Sequence, residues 1–355
     1  MRASHSFPFL RQKGFSLIEL MISLVLGGLI IAAVGTVYLG SRQSFRVQDG
    51  MARMQEGARY IFELMTVDLR QAGFTGCAPA SKTFSVVNGT DWFNNLGSQP
   101  LVGYESGAGL PAAVTGALAN TDAVAVLRAD NNSDYRVFSH TGGAAAAFTL
   151  YNTHDLQQGE ILTVVPPDCS KAIVFQMTSV NNNNTVKVVD HNTGQGSPGN
   201  STKCLDDPAS SACTSGVNNF PALPQNSRIL RMSGHIYYIA NNGNTEPSLY
   251  RESLVTQAGN ATSAAEELVE GVEDMQILYG EDTSQASLAT CPDDGCSVDT
   301  YVAANAVTNW NRVVSVRVTL TMRTPEDNLA TEADAAGDRR IRRTFTMTIA
   351  VRNRL

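Results

Sequence analysis

KGFSLIELMISLVLGGLIIAAVGTVYLG, Lys13 to Gly40, is the stretch on which the reading of this chain turns. From Phe15 onward it holds 26 residues with a single charge, Glu19. As a helix rising ~1.5 Å per residue it would run about 39 Å, more than the ~30 Å hydrocarbon layer of a bilayer. A cleaved secretory signal carries a shorter apolar stretch, about 7 to 15 residues, so a retained anchor is expected. A carboxylate in such an anchor is disfavoured by roughly 2.5 to 3.5 kcal/mol at the centre and by less near an end, so Glu19 asks for a reason.

The remainder of the 355 residues, with 43% hydrophobic and 17% charged overall, has the composition of a globular protein. Disordered, collagen-like and multi-span membrane classes are excluded. The net charge is −7, and Arg2, Arg11 and Lys13 stand before the apolar run with no acid, so the part beyond is more acidic still. A polyanion would be repelled, and no direct nucleic-acid partner is expected. Charge does not orient the anchor, because Arg42, Arg46, Arg53 and Arg59 come after it.

Beyond the anchor the helical pattern continues. Met51, Met54, Ala58, Ile61, Met65 and Leu69 recur at helical spacing with Arg53, Glu56, Arg59 and Asp68 between them, and no proline occurs from Phe15 to Ala78. One helix over residues 15–71, ending near Gly73, is predicted, its second half laying an apolar stripe on a globular head. The head reads as strands. Val314 to Met322 and Phe345 to Val351 alternate apolar and polar, the pattern of half-buried antiparallel strands, with Arg317 and Arg323 turned from the core. Further strands are expected at 123–128, 161–165, 173–180, 185–189, 235–240 and 275–279, with Asn-rich turns at 181–184 and 241–244.

Six cysteines, all beyond residue 76, point to disulfides in an oxidising compartment. Cys204 and Cys213 lie in a Gly/Ser/Pro/Asn-rich loop at 192–226, and Cys291 and Cys296 flank a Pro-Asp-Asp-Gly turn; local bridges are expected in both places, leaving Cys77 for Cys169. A zinc site lacks support, since no CxxC pair or adjacent histidine is present. The five histidines, at 5, 140, 154, 191 and 235, form no HExxH and accompany no GxSxG elbow, and are read as surface or strand residues. Asp130, Asn132 and Asp134 mimic the start of a calcium loop, but Tyr135 and Thr141 stand where glycine and glutamate are needed, so a solvated turn is expected. No catalytic residue, metal or cofactor is predicted.

The string Lys13 to Leu20, KGFSLIEL, resembles the prepilin signature of type IV pilins and related pseudopilins. The resemblance implies that a membrane peptidase cuts between Gly14 and Phe15, that the freed Phe15 is N-methylated, and that Glu19 guides assembly, with Arg11 and Lys13 as the leader's basic residues. Later strings are similar to one branch, the minor pilins of the PilW type: DLRQAGFTGC (68–77), TDAVAVLR (121–128), QGEILTVVPPDCSKAIVFQMTSV (158–180), LYR (249–251), EGVEDMQILYG (270–280) and the closing RRTFTMTIAVRNRL. The resemblance further implies an α+β, pilin-like fold with a long N-terminal helix on an antiparallel sheet head with long loops. Its parts would be a leader at 1–14, a transmembrane half at 15–40, an amphipathic half at 41–73 and a periplasmic, disulfide-braced head at 74–355. The implied role is to start pilus polymerisation in the inner membrane and to reach the fibre tip, supporting twitching motility and adhesion. The implied partners are other minor pilins, a tip adhesin, the major pilin, the prepilin peptidase and inner-membrane lipid. A minor pseudopilin of a type II secretion system would share leader and helix; a membrane-anchored periplasmic enzyme or receptor would need neither Gly14 nor Glu19.

The cleavage reading makes a direct prediction. Gly14→Leu should leave the full-length precursor in the membrane, as read by intact mass; normal shortening of that variant would count against a peptidase that requires the glycine.

Overall fold

The computed structural model describes residues 14–141, 146–179, 187–210, 213, 221–284, 297–330, 332–334 and 337–351. A long α-helix, α1, runs Leu17–Arg70. It stops where Gly73 takes a φ of 77°, the left-handed turn glycine enters without a Cβ clash. The chain divides into two compact units, Met1–Arg53 with Glu326–Arg340, and Met54–Pro325 with Ile341–Leu355.

In the second unit the end of α1 buries the predicted stripe. Met54, Ala58, Ile61, Met65 and Leu69 are buried, and full burial of each large side chain contributes about 1.5 to 3 kcal/mol. Gly57 lies on the same face for a steric reason. A Cβ there would meet Val269 at 2.9 Å and Met322 at 3.1 Å, so its absence lets the helix settle on the strands beneath.

The strands are β1 Thr83–Ser85, β2 Leu101–Tyr104, β3 Ala123–Thr141, β4 Ala147–Leu150, β5 Ile161–Val165, β6 Ala172–Gln176, β7 Val188–Asp190, β8 Arg228–Asn241, β9 Pro247–Gln257, β10 Asn260–Glu270, β11 Val272–Glu281, β12 Thr300–Val302, β13 Val313–Arg323 and β14 Arg342–Ala350. A ten-stranded sheet runs β1-β6-β5-β8-β3-β4-β7, with β2 joined to β3 and β9 and β10 added beyond β8. Its pairs are antiparallel except β1 with β6. A four-stranded sheet, β12-β11-β13-β14, is antiparallel throughout. The architecture is α+β and pilin-like, one long N-terminal helix with a largely antiparallel sheet head.

The structure departs from the sequence reading in several places. β3 does not end at Arg128 but passes through Asp130–Asp134 as a bulge, its register against β8 shifting between Asp130 and Tyr135. The expected solvated turn is thus a bulge in a paired strand, where Asp134 holds Arg136 at 3.0 Å and Arg228 at 2.9 Å. Arg323 does face away from the core, as expected, but its side chain is only 14% exposed because Glu246 at 2.6 Å and Glu273 at 3.5 Å clasp it. Asn241–Asn244 does form the turn between β8 and β9, while Asn181–Asn184 lies outside the described residues.

Disulfides join Cys77 to Cys169 and Cys204 to Cys213; Cys291 and Cys296 lie outside the described residues. The first closes a separation of 92 residues just after α1, which on loop-entropy grounds restrains the unfolded chain by about 4 to 5 kcal/mol.

Gly57→Leu tests the helix packing. Filling a site bounded by Val269 and Met322 should destabilise the head by about 1 to 3 kcal/mol through overpacking, measured as a lowered urea midpoint at unchanged slope.

Candidate anchoring and assembly site

The site begins at Gly14. A Cβ there would meet nothing within 4 Å, so no packing within the chain demands a glycine. Any demand for one comes from whatever binds this segment. Phe15 is next, 83% exposed. The carbonyl of Ser16 accepts from the amides of Glu19 and Leu20, each at 3.1 Å, which makes Ser16 the residue capping α1. Glu19 stands in the first turn, where the aligned amide dipoles favour a negative charge. Ser16 and Glu19 have the spacing of a capping box, so the start of the helix is itself marked in the sequence. Arg11 and Lys13 lie outside the described residues.

From Leu17 to Leu39 the large apolar side chains are all exposed, for example Leu17 at 77%, Ile31 at 74% and Val37 at 72%. The segment is long and apolar enough to span a membrane, and none of its apolar window is buried. Polar groups along it are paired internally: the Ser23 hydroxyl donates to the Glu19 carbonyl, and that of Thr36 to the Ala33 carbonyl at 2.8 Å. Such back-bonding lets a helix carry hydroxyls into lipid at small cost. Just past the apolar run, within the first unit, Gln43 Nε2 donates to the Asn328 carbonyl at 3.0 Å.

The remaining candidates sit elsewhere and serve the head. Asp68, near the end of α1, is buried and accepts from Arg128 Nε at 3.2 Å and from the Tyr237 hydroxyl at 2.6 Å. Burial first, and then the Asp68 charge, push the Tyr237 hydroxyl far above its usual range, so it stays a donor. His235 lies between the hydroxyls of Ser233 at 3.1 Å and Ser253 at 3.0 Å, but Asp68 is 3.8 Å away. That gap is too long for the carboxylate–imidazole bond that orients the base of a serine nucleophile. His154 meets the Val188 carbonyl at 3.1 Å. Of His140 and His191, read as surface or strand residues, the first does lie in β3 and the second follows β7, but neither is at the surface: both are buried against Phe148 and Phe175; each lies at or beside a strand end, which period-two reasoning does not assign to either face. His5 lies outside the described residues. Among the described residues no three His, Cys, Asp or Glu side chains gather as metal ligands.

Residues 10–35 match the prokaryotic N-terminal methylation motif. Residues 236–353 match the family of type IV pilus-assembly protein W, a span that takes in part of β8 and all of β9 to β14. No curated protein and no solved structure matches the chain. The two family matches fall at the head of an uncovered apolar helix and in the strands on which that helix ends, and together they support a type IV minor pilin of the PilW type.

Proposed function

We propose that this minor pilin is cut between Gly14 and Phe15, methylated on the new Phe15 amine, and held in the inner membrane with its head in the periplasm until it joins other minor pilins to begin a fibre. It then travels at the fibre tip with a tip adhesin, ahead of the major pilin, and supports twitching motility and adhesion. The role is structural rather than enzymatic.

One observation carries this reading: a carboxylate, Glu19, in the first turn of a helix whose apolar side chains from Leu17 to Leu39 no described residue covers. In lipid such a charge costs several kcal/mol unless it is matched. The freed amine of a neighbouring Phe15 is a match of the right sign at the right end of a co-oriented helix. The pair sets the register between helices more than it adds to stability, because an ion pair withdrawn from water gives back much of its Coulomb energy as desolvation.

Glu19→Ala separates cutting from assembly. The variant should reach the membrane as a chain beginning at methylated Phe15, by intact mass, while surface pili recovered by shearing fall to the level of a deletion. Wild-type piliation would show that the carboxylate is incidental. A deletion that spares pili but abolishes enzyme secretion would move the protein to a secretion system.

A further inference from the structure

A second constellation lies in the head, far along the chain from the anchor. Nε2 of His140, at the end of β3, is 3.0 Å from Nε2 of His191, the residue after β7. The two residues are 9% and 0% exposed. His140 stacks on Phe148 of β4 with ring centroids 4.3 Å apart, and His191 meets Phe148 at 5.1 Å and Phe175 of β6 at 5.8 Å.

The hydrogen bonds around the pair fix where its protons are. Nδ1 of His140 accepts from the amide of Leu223 at 2.8 Å. A neutral His140 therefore carries its hydrogen on Nε2 and donates it to Nε2 of His191. His191 in turn carries its hydrogen on Nδ1, which is buried without a hydrogen-bond partner. Every lone pair on the two rings is then in use. A proton added to His191 Nε2 would set two N–H donors head to head, and one added to His140 Nδ1 would face the Leu223 amide. Neither ring can accept charge while the contact holds.

The surroundings offer little relief: a backbone interaction of His191 itself favours the charged ring but is outweighed. Burial holds His140 down to about 4; burial, the neighbouring ring and the Lys203 ammonium hold His191 down to about 3. The groups packed on the rings from β4, β6 and the Leu223 segment are apolar side chains and a backbone amide. Asp190, next to His191 on β7, accepts from the Ser179 hydroxyl.

The pair ties distant segments together. The His191 amide donates to the Ala146 carbonyl at 2.9 Å, and Ala146 packs on Cys204 of the Cys204–Cys213 bridge. Leu223 is buried in the same core as Val137, Phe148, Phe175 and Val189. We infer that His140 and His191 form an acid-labile latch: proton uptake parts the rings, frees the Leu223 amide, and loosens the β4–β7 end of the sheet with its disulfide loop, while α1 and the four-stranded sheet stay folded.

The sign comes from linkage. The rings are neutral when folded and titrate near 6.5 when released, so the latch is fully closed above that pH and weakens as pH falls toward their depressed values. Each proton taken up on opening raises the opening constant by up to about tenfold per pH unit.

Hydrogen exchange read by mass spectrometry on the full-length protein in detergent, from pH 7.5 to 4.5 and corrected for intrinsic rates, tests this. Peptides around His140, His191 and Leu223 should lose protection steeply below about pH 6.5, by up to about a hundredfold per unit, while β13 and β14 do not. His191→Gln keeps an oxygen to accept from His140 and removes one titrating ring, and should cut the steepness to at most about tenfold per unit. His235→Gln, a histidine outside the latch, should leave the latch profile unchanged. Protection that persists to pH 4.5, that fades equally across the head, or that is as steep in His191→Gln as in the parent would overturn the inference.

Discussion

An apolar helix that its own chain leaves bare must be covered by lipid or by other helices, and this requirement organises the molecule. From Leu17 to Leu39 the large apolar side chains of α1 stand exposed. From Met54 to Leu69 the same helix turns a continuous stripe into the head. The change needs no break in the backbone, since α1 runs unbroken from Leu17 to Arg70. It comes from composition alone: all-round apolarity gives way to a one-sided stripe once Arg53, Glu56, Arg59 and Glu63 occupy the other face. A carboxylate at Glu19 and paired hydroxyls at Ser23 and Thr36 are polar interruptions of the bare part, and of these only the carboxylate needs a partner that a lone helix does not supply.

Much of this was legible from residues. Helical spacing from Met54 to Leu69 marks the buried stripe, with Met51 before it only half-buried, because a helix packed on one side obeys a period of 3.6, and the alternation at 314–322 and 345–351 marks β13 and most of β14 because a half-buried strand obeys a period of two. Ile161–Val165 appears as β5 with the expected bounds. β10 was missed for an equally physical reason. Its sequence, NATSAAEELVE, is rich in Ala and Glu, which favour helix, and it is a strand only because β9 offers it a register from Gln257 to Ser248. Its Glu266, Glu267 and Glu270, with a bulge at Glu267/Val269, then suit the open edge of a sheet, where charge and irregularity discourage further pairing.

At the candidate site the legible part was the N-terminal methylation motif that spans Gly14, Phe15 and Glu19, and the missed part was the cap at Ser16. The burial of His140 and His191 was out of reach. Both rings are enclosed by residues distant in the chain, Phe175 and Leu223 among them, and no local pattern reports that closure. The strand face of Arg323 was correctly read; that Glu246 and Glu273 arrive from other elements to cover it was not in the local pattern.

The Cys77–Cys169 bridge has a mechanical side. It stands shortly beyond the last residue of α1 and fastens the chain to the connection between β5 and β6, while Gly73 and Phe74 bond on the way to Leu127 and Ala129 of β3. Tension drawn along the helix thus enters the sheet through a covalent strap and a short backbone splice, at strands in its interior rather than at its rim. A subunit hauled by its stem would be loaded where it is hardest to unzip.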